Sequence, residues 1–192
     1  LEVIDVNGDG YADLLAGCPF YESGHTAEGI AVVWLGGPVS ASNDAGLGTS
    51  GTITNADWSY QSDEANANAG KSVAMAGDVN GDGYSDVVVG TPNSSNTSKT
   101  SNGRAVVFHG GAYGPQTTAG WTYGVDQADL MMGFSVSSAG DVNGDGYDDV
   151  VIGAPMYDEG ASTNKGKVYA FYGSSTGIPT TASWSRSIDS TK

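Results

Sequence analysis

Three copies of one acidic nonapeptide constrain this chain more than any other feature. They are Asp5-Val-Asn-Gly-Asp-Gly-Tyr-Ala-Asp13, Asp78-Val-Asn-Gly-Asp-Gly-Tyr-Ser-Asp86 and Asp141-Val-Asn-Gly-Asp-Gly-Tyr-Asp-Asp149. Each places side-chain oxygens at positions 1, 3, 5 and 9 around a turn glycine. The copies start 73 and then 63 residues apart, at positions 5, 78 and 141, and such recurrence marks a repeat architecture, in which units that cannot bury their own faces are stacked.

More than the loop recurs. A proline follows each copy, at Pro19, Pro92 and Pro155. A glycine then opens an apolar run: Gly29-Ile-Ala-Val-Val-Trp-Leu, Gly103-Arg-Ala-Val-Val-Phe-His and Gly166-Lys-Val-Tyr-Ala-Phe-Tyr. Trp58, Trp121 and Trp184 close the pattern. Each unit therefore offers four short runs rich in β-branched and aromatic residues: one before the loop, one directly after it, the glycine-opened run and the tryptophan run. Gly, Pro, Asn and Ser punctuate them. No window carries the apolar spacing of a helix over three turns. The expectation is an all-β chain of β-propeller blades, each of four antiparallel strands, with three blades in this chain, as part of a larger or assembled propeller.

The units divide as 1–57, 58–120 and 121–183, with 184–192 beginning a further blade or supplying a closing strand. The first is expected to lack most of its opening strand and to carry a long surface loop over 38–57, rich in Ser, Gly, Thr and Asn. Three blades do not close a ring, and open sheet edges invite association. The remaining blades are expected from the same polypeptide or from another copy.

The nonapeptide supplies hard oxygen donors and neither Cys nor His, which favours calcium over zinc or copper. In the first loop the ligands are Asp5, Asn7, Asp9, the Tyr11 carbonyl and Asp13. In the second they are Asp78, Asn80, Asp82, the Tyr84 carbonyl and Asp86. In the third they are Asp141, Asn143, Asp145, the Tyr147 carbonyl and Asp149. A helix–loop–helix calcium hand needs an acid at position 12, where this chain has Ala16, Val89 and Ile152. All donors come from one tight turn, so three structural Ca2+ sites are expected, each pinning a strand-to-strand connection.

Composition narrows the function classes. The formal net charge is −15, with 22 acidic residues against seven Lys and Arg. Nine of those acids stand at the Asp positions of the nonapeptide motif, so part of the charge belongs to the metal chemistry. So few cations argue against nucleic-acid binding and against attachment to anionic lipid. No run approaches the ~20 apolar residues of a membrane span. The single cysteine, Cys18, reads as a small strand-end residue. Of the two histidines, His109 ends a third strand and His25 lies in a polar loop; neither has the partners of a catalytic group, so the chain is not expected to be an enzyme. Asn93-Ser-Ser and Asn96-Thr-Ser are possible glycosylation sequons.

Phe134-Ser-Val before the loop, D-x-N-x-D-G-x-x-D within it and Gly153-Ala-Pro after it resemble FG-GAP repeats, as found in the N-terminal β-propeller of integrin α chains and integrin-like surface proteins. The third repeat reads Met-Gly-Phe where the family reads Phe-Gly, and Gly-Ala-Pro becomes Gly-Cys-Pro and Gly-Thr-Pro in the first and second. The resemblance implies a seven-bladed ring with calcium in the loops and partners on the opposite face. On that basis the chain is expected to be a calcium-stabilised module for extracellular or cell-surface adhesion, recognising a protein or glycan. Two alternatives are a structural repeat segment of a surface filament or large extracellular assembly, and a non-catalytic propeller attached to a secreted hydrolase. The loops that differ between repeats, 38–57, 93–102 and 156–165, would carry ligand identity. The tryptophans are expected to pack between blades.

Overall fold

The architecture was derived from a computed structural model, which describes residues 1–38, 52–95, 100–160 and 162–187. It contains three four-stranded antiparallel sheets. The first holds β1 (Glu2–Ile4), β2 (Asp13–Cys18), β3 (Ile30–Trp34) and β4 (Trp58–Gln61). The second holds β5 (Ser72–Gly77), β6 (Asp86–Thr91), β7 (Arg104–Phe108) and β8 (Trp121–Tyr123). The third holds β9 (Ser135–Gly140), β10 (Asp149–Ala154), β11 (Lys167–Phe171) and β12 (Trp184–Ser187). In every sheet the spatial order follows the chain. These are the expected blades, and each tryptophan strand pairs with the glycine-opened strand before it. The sheets thus run past the divisions at 57/58, 120/121 and 183/184, and β12 is the fourth strand of the third sheet. β1 has three residues where β5 and β9 have six.

The strands form where the apolar runs predict. Their alternation sends successive side chains to opposite faces. In β6 all six residues are buried, because the middle sheet is covered on both sides. Leu15, Ala31, Val33 and Trp58 of the first sheet meet Met75, Val87, Val89, Val106 and Phe108 of the second. Val88, Ala105, Val107 and Trp121 then meet Val150, Ile152, Tyr169 and Phe171 of the third. Each seam is centred on a tryptophan. Trp58 stands edge-on to Phe108, with centroids 4.9 Å apart, and its Nε1–H donates to the Gln116 carbonyl at 3.0 Å. Trp121 repeats both contacts with Phe171 and the Pro179 carbonyl. Tyr60 and Tyr123 pack against the same phenylalanines. The expected inter-blade role therefore holds for Trp58 and Trp121. Trp184 is 49% exposed on the outer face of the third sheet.

The outer face of the first sheet is treated differently. A single 3-10 turn at Ile53–Asn55 lies in the expected surface loop, and Ile53 and Ala56 lean on Ile30, Val32 and Trp34. Cys18 is partly buried beside them, as a strand-end residue. Residues 39–51 of that loop lie outside the described residues.

At the end remote from the acidic loops, the units are stitched by backbone. Gly29 bridges Ala69 and Gly103 bridges Met132, both in parallel sense. Among the described residues no helix is long and apolar enough to cross a membrane.

Candidate metal loops

The three nonapeptides occupy the β1–β2, β5–β6 and β9–β10 connections, so all three lie at one end of the stack. Their local conformation follows from the residue types. In the second loop the Asp78 carboxylate accepts the amides of Gly81, Asp82 and Gly83 at 2.7–3.0 Å. Asn80 Oδ1 accepts the Asp82 amide, and Asp82 Oδ1 accepts the Tyr84 amide. Asn80 Nδ2 donates to Asp82 Oδ2 at 2.9 Å. Asp141, Asn143 and Asp145 repeat this pattern in full. Asp5, Asn7 and Asp9 repeat most of it. The chain can turn this sharply because position 6 is glycine in each copy; Gly83 has φ +89°, a left-handed backbone that side-chain-bearing residues disfavour.

Position 9 does something the sequence did not reveal. Asp13, Asp86 and Asp149 are fully buried. One oxygen of each accepts an amide inside the loop, from Val6, Val79 or Val142 at 2.6–3.0 Å. The other accepts an amide just beyond the third strand, from Gly36, Gly110 or Gly173 at 2.7–2.9 Å. Each carboxylate thus latches the loop to the neighbouring connection. Glycine is required at this landing point: a Cβ on Gly110 would meet the Ser85 carbonyl at 2.3 Å. The only hint in the sequence was that a glycine follows every third strand.

The electrostatics separate the two ends of the loop. Burial pushes the carboxyls of Asp13 and Asp86 above the ordinary value, against the opposing pull of their amide partners. The exposed Asp141 is shifted down, chiefly by the Gly146 amide. His109, as expected, packs at a strand end; its Nδ1 lies 3.4 Å from Asp86 Oδ1. His25 is exposed.

Each loop assembles five oxygen-bearing residues and no nitrogen or sulfur ligand, a donor set that fits a hard cation. The carboxylates as placed are held by amides. Among the described residues no three Asp, Glu, His or Cys side chains converge into a ready cluster. An ionised carboxylate has about four lone-pair sites, so the amide bonds leave acceptor capacity in every loop.

The loops also stack. The Tyr84 ring lies over Gly8, and the Tyr147 ring lies over Gly81. Val6 and Val79 beneath them are fully buried, whereas Val142 of the third loop is 57% exposed.

The opposite end carries the variable loops. A cleft of about 290 Å3 there is lined by Ser94, Ser95, Asn102, Arg104 and Thr122. Arg104 lies 3.9 Å from Glu64 across the seam, and among the described residues the buried Asn102 Oδ1 has no hydrogen-bond partner. Of the two sequons, Asn93 donates its Nδ2 to Asn68 Oδ1 at 2.5 Å, and Asn96 lies outside the described residues.

Stacked four-stranded blades, each with an acidic, amide-latched loop between its first two strands, define a protein built of β-propeller blades. The FG-GAP repeat model matches residues 1–34, 69–108 and 132–171, and the chain belongs to that family. It is 31% identical to integrin alpha pat-2 of Caenorhabditis briggsae over 166 residues, covering 80% of this chain and 13% of that protein. It is 29% identical to integrin alpha-PS2 of Drosophila melanogaster, covering 83% and 11%. It is 35% identical to integrin alpha-3 of Mus musculus over 111 residues, covering 57% and 10%. The chain spans only about a tenth to an eighth of the length of these curated relatives.

Proposed function

We propose that this chain is a calcium-stabilised FG-GAP propeller module that serves adhesion or recognition at the cell surface or outside the cell, with a protein or glycan as partner. The observation that carries the reading is the threefold recurrence of an all-oxygen loop at the junction of the first two strands of every blade. Donors would come from Asp5, Asn7, Asp9, Tyr11 and Asp13, and from their counterparts at 78–86 and 141–149. A bound cation would neutralise clustered carboxylates and hold the turn; the latch aspartates tie that turn to the rest of the sheet. The likeness to integrin alpha chains supports the adhesive role and the extracellular setting. Partner recognition is assigned to the end away from the loops, where the cleft beside Arg104 and the non-repeating connections lie. Further blades, from the same polypeptide or another copy, would cover the third sheet's outer face. The chain acts as a binding module, without a catalytic role.

Calorimetric titration of the chelator-treated chain with Ca2+ tests the cation reading, and three equivalents bound is the expected result. Binding of less than one equivalent at millimolar Ca2+ overturns it. For recognition, immobilised chain is screened against extracellular-matrix proteins and a glycan array. Substitutions lining the Arg104 cleft are expected to reduce binding, and substitutions on the loop end are not.

A further inference from the structure

The three loops are not equivalent in what surrounds them. Asp148 stands at position 8 of the third nonapeptide, outside that loop's donor set. Its Oδ2 accepts the Asp78 amide at 2.9 Å, and its own amide donates to the Asp78 carbonyl at 3.1 Å. A residue of the third loop therefore grips both backbone groups of the first aspartate of the second loop. Room for the carboxylate exists because residue 77 is glycine: a Cβ there would stand 2.2 Å from Asp148 Oδ2. Two more contacts hold the same stretch. The Val79 carbonyl accepts the Ser174 amide at 3.1 Å, and the Tyr147 ring covers Gly81.

The corresponding grip on the first loop is absent by composition. Position 8 of the second nonapeptide is Ser85, whose side chain is too short to play the part of Asp148. The residue before the first loop is Ile4, not glycine, so the seat itself is filled. Among the described residues, the contact found between loops one and two is the Tyr84 ring over Gly8, at 3.4 Å from the place a Cβ would take.

Resting on the calcium reading above, we propose that Asp148 is a positioning residue for the cation site of the second loop, and that it couples loops two and three while loop one stays independent. Two effects support the role. The paired hydrogen bonds fix the backbone from which the Asp78 carboxylate projects, so less ordering remains to be done when a cation arrives. The carboxylate also adds a negative charge beside that site without occupying it. Groups of this outer kind typically change metal affinity 10- to 100-fold. Coupling between sites is reciprocal, so occupancy of loop three should in turn favour loop two.

The test is a Ca2+ titration of the full chain followed by amide resonances, which report each loop separately. It compares the unsubstituted chain with Asp148→Ser, the residue present at Ser85, and with Asp148→Asn, which keeps an acceptor oxygen but not the charge. In D148S the midpoint of the second loop is expected to move at least tenfold to higher Ca2+, with the first loop unmoved; D148N should fall between. Hydrogen exchange of the Asp78 amide, measured without Ca2+, should accelerate in D148S. A second-loop midpoint within twofold of the unsubstituted chain overturns the proposal, as does an equal shift in all three loops. If no loop of the unsubstituted chain responds to Ca2+, the calcium reading fails and the positioning role falls with it. An unchanged Asp78 exchange rate would mean that the grip itself is absent, whatever the loops bind.

Discussion

Trp121 stands edge-on to Phe171 across the seam between the second and third sheets, with ring centroids 4.8 Å apart and planes at 70°. Trp58 and Phe108 hold the same geometry one seam earlier. Both tryptophans also hand their indole N–H to a carbonyl 58 residues further along the chain. Such a contact combines apolar burial, a favourable ring geometry and a satisfied polar tip.

Trp121→Ala should therefore cost about 3–5 kcal/mol, the usual range for removing a buried large aromatic residue. Trp184→Ala, on a half-exposed residue, should cost less than about 1 kcal/mol. Urea denaturation of the two variants checks this, and equal losses would count against the assignment of Trp121 to the seam.

The latch aspartates predict a loss that does not depend on metal. Asp149→Ala strands the Val142 and Gly173 amides, and each unsatisfied group costs about 1–3 kcal/mol where it is buried. Asp149→Asn should be destabilising too, since its NH2 would face one of those donors. Both variants are to be melted in the presence of chelator. Stability equal to that of the parent chain under those conditions would remove the latch role.

Removing calcium should lower stability by mass action. At a free concentration 100 times the dissociation constant, one site contributes about 2.7 kcal/mol. The melting temperature should therefore rise with Ca2+ over the millimolar range and fall on addition of chelator. A melting curve indifferent to both would leave the loops as turns held only by their amides.

Gly77→Ala and Gly83→Ala separate two reasons for glycine. Both positions have positive φ, near +78° and +89°, which costs a side-chain-bearing residue roughly 1–2 kcal/mol. Only Gly77 also has a carboxylate in the way; at Gly83 a Cβ would meet nothing within 4 Å. Alanine at 77 should be the more damaging, by thermal melting, and the reverse order would contradict the seating of Asp148.

Asn93 is engaged by Asn68 across the first seam. In a glycosylating host, Asn93→Gln should leave the attached glycan mass unchanged and lower the melting temperature by a few degrees. A mass decrease of one glycan would show that Asn93 is modified despite that bond.

Much of the fold was legible in the sequence because each strand announces itself twice, by its own β-branched run and by recurrence. Asp86–Thr91 and Asp149–Ala154 begin on the last residue of each nonapeptide, where the pattern put them. The all-oxygen donor set was equally plain. What stayed hidden depends on neighbours rather than on type. Trp184 carries the same motif as Trp58 and Trp121, and only the sheet packed against a tryptophan decides whether it is buried. Asp13, Asp86 and Asp149 read as ligands; that they lie at zero exposure, with an amide on each oxygen, required the position of the next glycine. The pattern assigned Asp148 no role, since the Asp78 amide it reaches belongs to another sheet.

Within each sheet the strand order follows the chain, and only seams join one sheet to the next. A segment of about 60 residues can thus be duplicated in tandem without re-threading any strand, since both halves of a seam travel with it. Ser85 and Asp148 show how such copies acquire individuality: one substitution at an otherwise repeated position makes one junction unlike the other. The evolutionary history of the array is then to be read from its junctions, not from its strands.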